Sequence, residues 1–194
     1  MNPTSVTLLG RLFQGDNEAW RQLDQLYTPL IRGWLQRHSI TGPDGDDLVQ
    51  EVLAVVLRRI PDFEHNQRTG AFRAWLRLIT VNCVRDFWKA RRIRPAAPGG
   101  SDFGSYLDQL ADSSHPLSRE WDREHDVYVM RRLLDMIKAQ FEPQTWQAFQ
   151  RVALEEAPAA QVAQELNMSV NAVFIAKSRV LSRLRELGAG LIEE

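Results

Sequence analysis

The sequence predicts an all-α protein of two helical domains, residues 1–95 and 118–194, joined by a flexible acidic linker over 96–117. Three observations carry this. Apolar residues recur at three- and four-residue steps in nearly every segment, and no window alternates as a strand bounded by turns. The stretch from Pro95 to Pro116 opens with prolines and glycines and continues with Ser, Asp and Gly, which is linker composition. Charge divides at the same place: residues 1–95 hold 14 Lys/Arg and 10 Asp/Glu, whereas 96–194 hold 10 and 15.

Each helix has a local reason. The first is expected from Thr4 to Gly15. Asp16 caps a second, in which Ala19, Trp20, Leu23, Leu26, Tyr27, Leu30, Ile31 and Trp34 form one stripe. Thr41-Gly42-Pro43-Asp44-Gly45 is expected as a turn. A third helix is expected over 46–60, stopped by Pro61, then a loop over 61–70 and a fourth helix to Arg92. Within the linker, Phe103, Tyr106, Leu107 and Leu110 share helical spacing and form a segment able to dock. Further helices are expected at 118–140, 143–154, 158–166 and 169–188, with Pro143 and Pro158 in first turns.

Composition excludes several classes. With 44% apolar and 25% charged residues, the 194-residue chain is ordinary globular material. No apolar run reaches the roughly 18 residues that a membrane span needs. The first ten residues lack a secretory pattern. Cys83 is the single cysteine, and no Cys/His cluster has zinc spacing, so no disulfide framework, metal or cofactor is expected and the reducing cytoplasm is the expected compartment. His38, His65, His115 and His125 are scattered, and no phosphate loop or nucleophile motif is present, which argues against an enzyme.

Three segments carry the chemistry. The helix over 46–60 is apolar around most of its circumference, through Leu48, Val49, Val52, Leu53, Val55, Val56, Leu57 and Ile60, with Asp47, Glu51 and Arg58 on a narrow polar strip. It is either a central core helix whose acids serve the N-terminal dipole or a surface that selects a basic partner. In the second segment, residues 68–94 hold eight basic residues and one acid, Asp86. Phe72, Leu76, Ile79, Cys83 and Phe87 lie on one side of this helix. Arg77, Asn82, Arg85, Lys89 and Arg92 lie on the other, with Trp75 and Trp88 at the borders. Cations with aromatic rings suit single-stranded nucleic acid, and His65, Asn66, Gln67 and Arg68 offer hydrogen bonds to an extruded base. The bland reading is a solvated basic face. The third segment pairs a short helix ending at Leu166 with a longer one capped by Ser169. Asn167 takes the left-handed turn between them, and Val162, Ala163, Leu166, Val170 and Val173 are spaced to pack the pair. This is helix-turn-helix spacing, with Lys177, Arg179, Arg183 and Arg185 available to phosphates, though an ordinary helical hairpin has the same outline.

Together these segments resemble the extracytoplasmic-function (ECF) sigma factors of the sigma-70 family of bacterial RNA polymerase. Asp46-Asp47-Leu-Val-Gln50-Glu51 is similar to the family's region 2.2. Phe72-Arg-Ala-Trp75 through Asn82-Cys-Val-Arg85-Asp86 is similar to regions 2.3 and 2.4, and the helix-turn-helix to region 4.2. The resemblance implies that Asp46, Asp47, Gln50 and Glu51 meet the β′ clamp helices of core polymerase, while region 4 meets the β flap. It implies that Asn66, Gln67, Arg68, Arg77, Asn82, Arg85, Asp86, Trp88, Lys89 and Arg92 hold the opened minus-ten strand of promoter DNA. It implies that Ser169, Asn171, Ala172, Phe174, Lys177, Ser178 and Arg179 meet the minus-thirty-five element. The linker is expected to thread through the polymerase.

Two departures modify that expectation. Phe174, Ile175 and Ala176 stand where the family often has Lys, Ser and Arg, so DNA shape or thymine methyls replace polar base contacts. The chain stops soon after region 4, so regulation is expected from a separate partner, such as an anti-sigma factor, or from modification. The rival is a stand-alone helix-turn-helix regulator that binds duplex DNA without polymerase; it leaves the aromatic-basic helix without a task.

Overall fold

The computed structural model describes residues 7–63, 70–91 and 103–192. Among these the fold is all-helical, as predicted. Helix α1 spans Leu8–Phe13, with the Thr7 hydroxyl accepting from the Gly10 N–H at 2.9 Å. Helix α2 spans Asn17–Arg37. Asp16 caps it by accepting from the N–H groups of Glu18 and Ala19. Its predicted stripe is inward: Ala19, Leu23, Leu26, Tyr27, Ile31 and Trp34 are buried.

Helix α3 spans Gly42–Arg59 and passes into a single 3₁₀ turn, Ile60–Asp62. It starts four residues before the predicted position. The Gly-Pro pair is not a turn between helices but the first turn of α3: Gly42 takes φ +62° and Pro43 supplies a pre-set φ where no N–H partner is needed. Helix α4 spans Ala71–Arg91 and α5 spans Phe103–Ala111. The part of the predicted flexible linker over 103–111 is therefore an ordered helix, with Phe103, Leu107 and Leu110 buried.

Helix α6 spans Pro116–Lys138, α7 Pro143–Phe149, α8 Ala159–Glu165 and α9 Val170–Gly188. Residues Gln150–Leu154, expected as the end of one helix with α7, widen into a π turn.

The chain divides into two compact units, Met1–Val129 with Gly190–Glu194, and Met130–Ala189. The division falls inside α6 and not at the composition change near residue 117. Its cause is a set of side chains on the first half of α6 that bury against the first unit: Ser118, Trp121 and His125. In that unit an aromatic cluster joins Phe13 to Phe63, Phe63 to Phe72 and Trp75, and Phe72 to Trp75 and Tyr27, with ring centroids 4.8–6.5 Å apart. Trp75 thus belongs to this half-buried cluster. The second unit packs Ala148, Val162, Ala163, Val173 and Ala176 together, flanked by Leu166 and Met168.

Candidate functional site

Helix α4 sorts its side chains by direction, and each direction has a different neighbour. Ile79 and Cys83 are buried toward α3, while Phe87 is half-buried. Where the two helices part, they leave an open groove of about 560 Å³ lined by Asp47, Glu51, Arg58 and Arg59 from α3 and by Asn82, Asp86 and Phe87 from α4. Cys83 also lines it, and burial pushes its thiol up to about 11, so it stays protonated at neutral pH and is no nucleophile.

Of the four residues that the resemblance assigns to polymerase, Asp47 and Glu51 line the α3 side of the groove, and Asp46 and Gln50 lie outside its lining. Asp46, Asp47, Gln50 and Glu51 are all exposed. Asp46 is paired with Arg32 at 2.8 Å and Glu51 with Arg58 at 3.3 Å. The apolar circumference of α3 is mostly consumed inside: Leu48, Val49, Val52, Val56 and Ile60 are buried. Leu57 is the exception, 51% exposed beside Arg58.

The α4 residues assigned to the minus-ten strand separate into four groups. Asn82, Asp86 and Lys89 are exposed, with Lys89 Nζ 3.6 Å from Asp86 Oδ1. Arg85 is half-buried and pairs with Asp108 of α5. Trp88 is half-buried, edge-on to Phe87 at 5.1 Å and to Phe103 of α5 at 6.4 Å. Arg77 does not belong with them. Its side chain is 1% exposed, pairs with Asp122, donates to the Ser118 carbonyl at 3.3 Å and lies 5.9 Å from the centroid of the Trp121 ring. A guanidinium enclosed in this way has no route to a phosphate. Asn66, Gln67, Arg68 and Arg92 lie outside the described residues.

Arg77 is half of a buried ionic network that sequence reasoning missed. Arg73 pairs with Asp126 and lies 3.5 Å from Asp122. Gly70 makes room for it: at φ +75°, a Cβ there would stand 2.8 Å from the Arg73 guanidinium. His125 completes the network, with Nδ1 2.9 Å from Asp126 Oδ1, Nε2 3.2 Å from the Tyr27 hydroxyl, and its ring stacked on Trp121. Burial holds the His125 pKa below the usual imidazole value against the pull of Asp126. A neutral ring that donates from Nδ1 to Asp126 accepts the Tyr27 proton at Nε2. Burial raises the Tyr27 phenol well above its ordinary value, so it remains that donor.

The second unit presents the other candidate face. Asn167 takes φ +51° between α8 and α9, and the Ser169 hydroxyl accepts from the Ala172 N–H at 3.1 Å. The Met168 N–H reaches back to the Ala163 carbonyl at 2.8 Å, and Gln144 donates to the Leu166 carbonyl at 2.7 Å. Ser169, Asn171, Phe174, Ser178 and Arg179 are exposed, and Ala172 and Lys177 are half-buried. Val170, expected in the packing between the two helices, is instead exposed because the helix begins at it and turns Val173 inward. Ala176 is buried, so of the three departing residues only Phe174 and Ile175 face outward.

Residues 23–93, from the body of α2 through α4, match the family described as sigma-70 region 2. The RNA polymerase sigma factor CnrH of Cupriavidus metallidurans is 28% identical over 54% of this chain and 54% of its own length. The ECF RNA polymerase sigma-E factor of Haemophilus influenzae is 33% identical over 47% of each chain. The RNA polymerase sigma factor CarQ of Myxococcus xanthus is 25% identical over 91% of this chain and 93% of its own. In the first two alignments the chain spans about half the length of its relative. No helix among the described residues is long and apolar enough to cross a membrane.

Proposed function

We propose, from the match of residues 23–93 to sigma-70 region 2, that this chain is an ECF-type sigma factor. It lends promoter choice to core RNA polymerase in the cytoplasm and catalyses nothing itself. The observation that carries this reading is the groove between α3 and α4. Asp47 and Glu51 on the α3 wall offer acids to a basic partner, and Asn82 and Asp86 on the α4 wall, with the exposed Lys89 farther along the same helix, offer polar groups and a cation to a strand.

In this reading Asp46, Asp47, Gln50 and Glu51 dock on the β′ clamp helices. Asn82, Arg85, Asp86 and Lys89 hold the opened minus-ten strand, with Trp88 as a stacking surface. Asn66, Gln67, Arg68 and Arg92 complete that strand contact, and Arg77 is withdrawn from it. Helix α9 enters the major groove of the minus-thirty-five element with Ser169, Asn171, Ala172, Phe174, Lys177, Ser178 and Arg179, while its unit meets the β flap. Phe174 and Ile175 suit thymine methyls. An anti-sigma factor is the expected regulator.

Run-off transcription with purified core polymerase tests this, on fragments that include the DNA upstream of its own gene. The expected result is initiation at discrete sites only when the protein is added. Tight polymerase-independent binding to a duplex site, with no initiation and no core binding, would replace the proposal with a stand-alone regulator.

A further inference from the structure

Helix α5 lies on the edge of α4 that carries Arg85 and Trp88. Three apolar residues, Phe103, Leu107 and Leu110, seat it. Its one charged residue, Asp108, is largely exposed yet pairs with Arg85. Its first residue, Phe103, meets Trp88 nearly at right angles, with an interplanar angle of 84°. A carboxylate thus sits on the cation, and an aromatic ring on the aromatic. These are the two chemistries a single strand offers: an anion for the guanidinium and a flat ring for the indole.

We propose that α5 is an internal competitor for this edge, an occupant that mimics a phosphate and a base and that must leave before a strand is held. The inference rests on the assignment of α4 to the opened strand made above. The contact is built to be reversible. Asp108 keeps a side-chain exposure of 75%, and exposed ion pairs are weak. The Trp88 indole Nε1 is buried without a hydrogen-bond partner in the docked arrangement, which works against α5 staying there. Lys89, one turn beyond Arg85, is uncovered and remains available for the first encounter with a phosphate.

The test uses the full chain and a short fluorescein-labelled oligothymidine strand, read by anisotropy. Asp108→Asn is expected to tighten binding about twofold to fivefold, the range of an exposed ion pair. Leu107→Ser, which unseats the helix, is expected to tighten it about tenfold, and Lys89→Ala to weaken it. Amide hydrogen exchange over 103–111 is expected to rise when the strand is added to the wild type. If Lys89→Ala weakens binding but Asp108→Asn leaves affinity unchanged and exchange over 103–111 stays flat, the competitor is overturned and the strand interface stands. If neither Lys89→Ala nor Arg85→Ala alters binding in either background, the interface assignment fails and the competitor with it. Circular dichroism checks that Leu107→Ser folds; if it does not, Asp108→Asn and the exchange measurement decide alone.

Discussion

Helices α4 and α9 are both basic as sequences, but their charges have different destinations. On α4, Arg73 and Arg77 are buried against Asp126 and Asp122, Arg85 is held by Asp108, and Lys89 stands exposed near Asp86. On α9, Arg179 and Arg185 are exposed, and neither has an ion pair among the described residues. The cause lies in the neighbours. Helices α5 and α6 bring acids to α4. On α8, which packs against α9, Glu165 is already paired with Arg151 at 2.9 Å. The number of cations along a helix therefore overstates what is open to a polyanion wherever the elements packed on that helix bring carboxylates to it.

The largest break of this comparison is Arg77→Ala. Removing Arg77 takes the nearer partner from Asp122, leaves it only Arg73 at 3.5 Å, and costs about 3 kcal/mol, whereas Arg179→Ala changes stability by no more than about 0.5 kcal/mol. Urea unfolding of both variants checks this. Equal effects would mean that the two arginines do the same work.

The same contrast of paired and unpaired charge applies on α3. Asp46 is tied to Arg32, and Asp47 is exposed with no ion pair among the described residues. Asp47→Arg is expected to lower core-polymerase affinity at least about tenfold with an unchanged melt, because it puts a like charge against a basic partner. Surface plasmon resonance on immobilised core enzyme measures it.

Next come the caps and the exposed cations. Ser169→Ala removes the α9 cap and is expected to cost about 1 kcal/mol. Lys89→Ala and Arg179→Ala are each expected to reduce the slope of log affinity against log salt by about one, on a single strand and a duplex respectively. Arg77→Met leaves that slope unchanged wherever the variant is folded.

The smallest effect is pH dependence. His125 has a folded pKa below its unfolded value of about 6.5, so the unfolded chain binds the extra proton first. Stability from this group is complete above that value and falls as pH drops below it. His38 adds in the same direction. Thermal melts between about pH 7.5 and about pH 5.5 are expected to show a falling Tm, and His125→Gln a shallower fall. A Tm that rises on acidification would contradict the neutral ring.

What was legible in the sequence was local. The α9 cap, the Asn167 turn and the α8–α9 packing all form between residues a few positions apart, and periodicity and cap chemistry found them. The fate of Arg77 depends on Asp122, 45 positions away, and that of Arg73 on Asp126, 53 away. No spacing rule reaches that distance. The α5 stripe was visible as helical spacing, but its seat on α4 was not, because amphipathicity states that a face is buried and not where. The start of α3 was misplaced for a local reason: Gly-Pro serves equally as a turn and as a first helical turn.

In the proposed function the α4 edge holds an opened strand inside a polymerase complex. Permanganate reactivity of thymines upstream of a start site tests it most directly, on a fragment that supports initiation with this protein. Reactive thymines are expected near minus ten only when core polymerase and protein are both present, with reactivity reduced by Lys89→Ala and unchanged by any folded Arg77 variant. Thymines that stay unreactive while the promoter is occupied and the complex transcribes, or reactivity indifferent to Lys89, would contradict it.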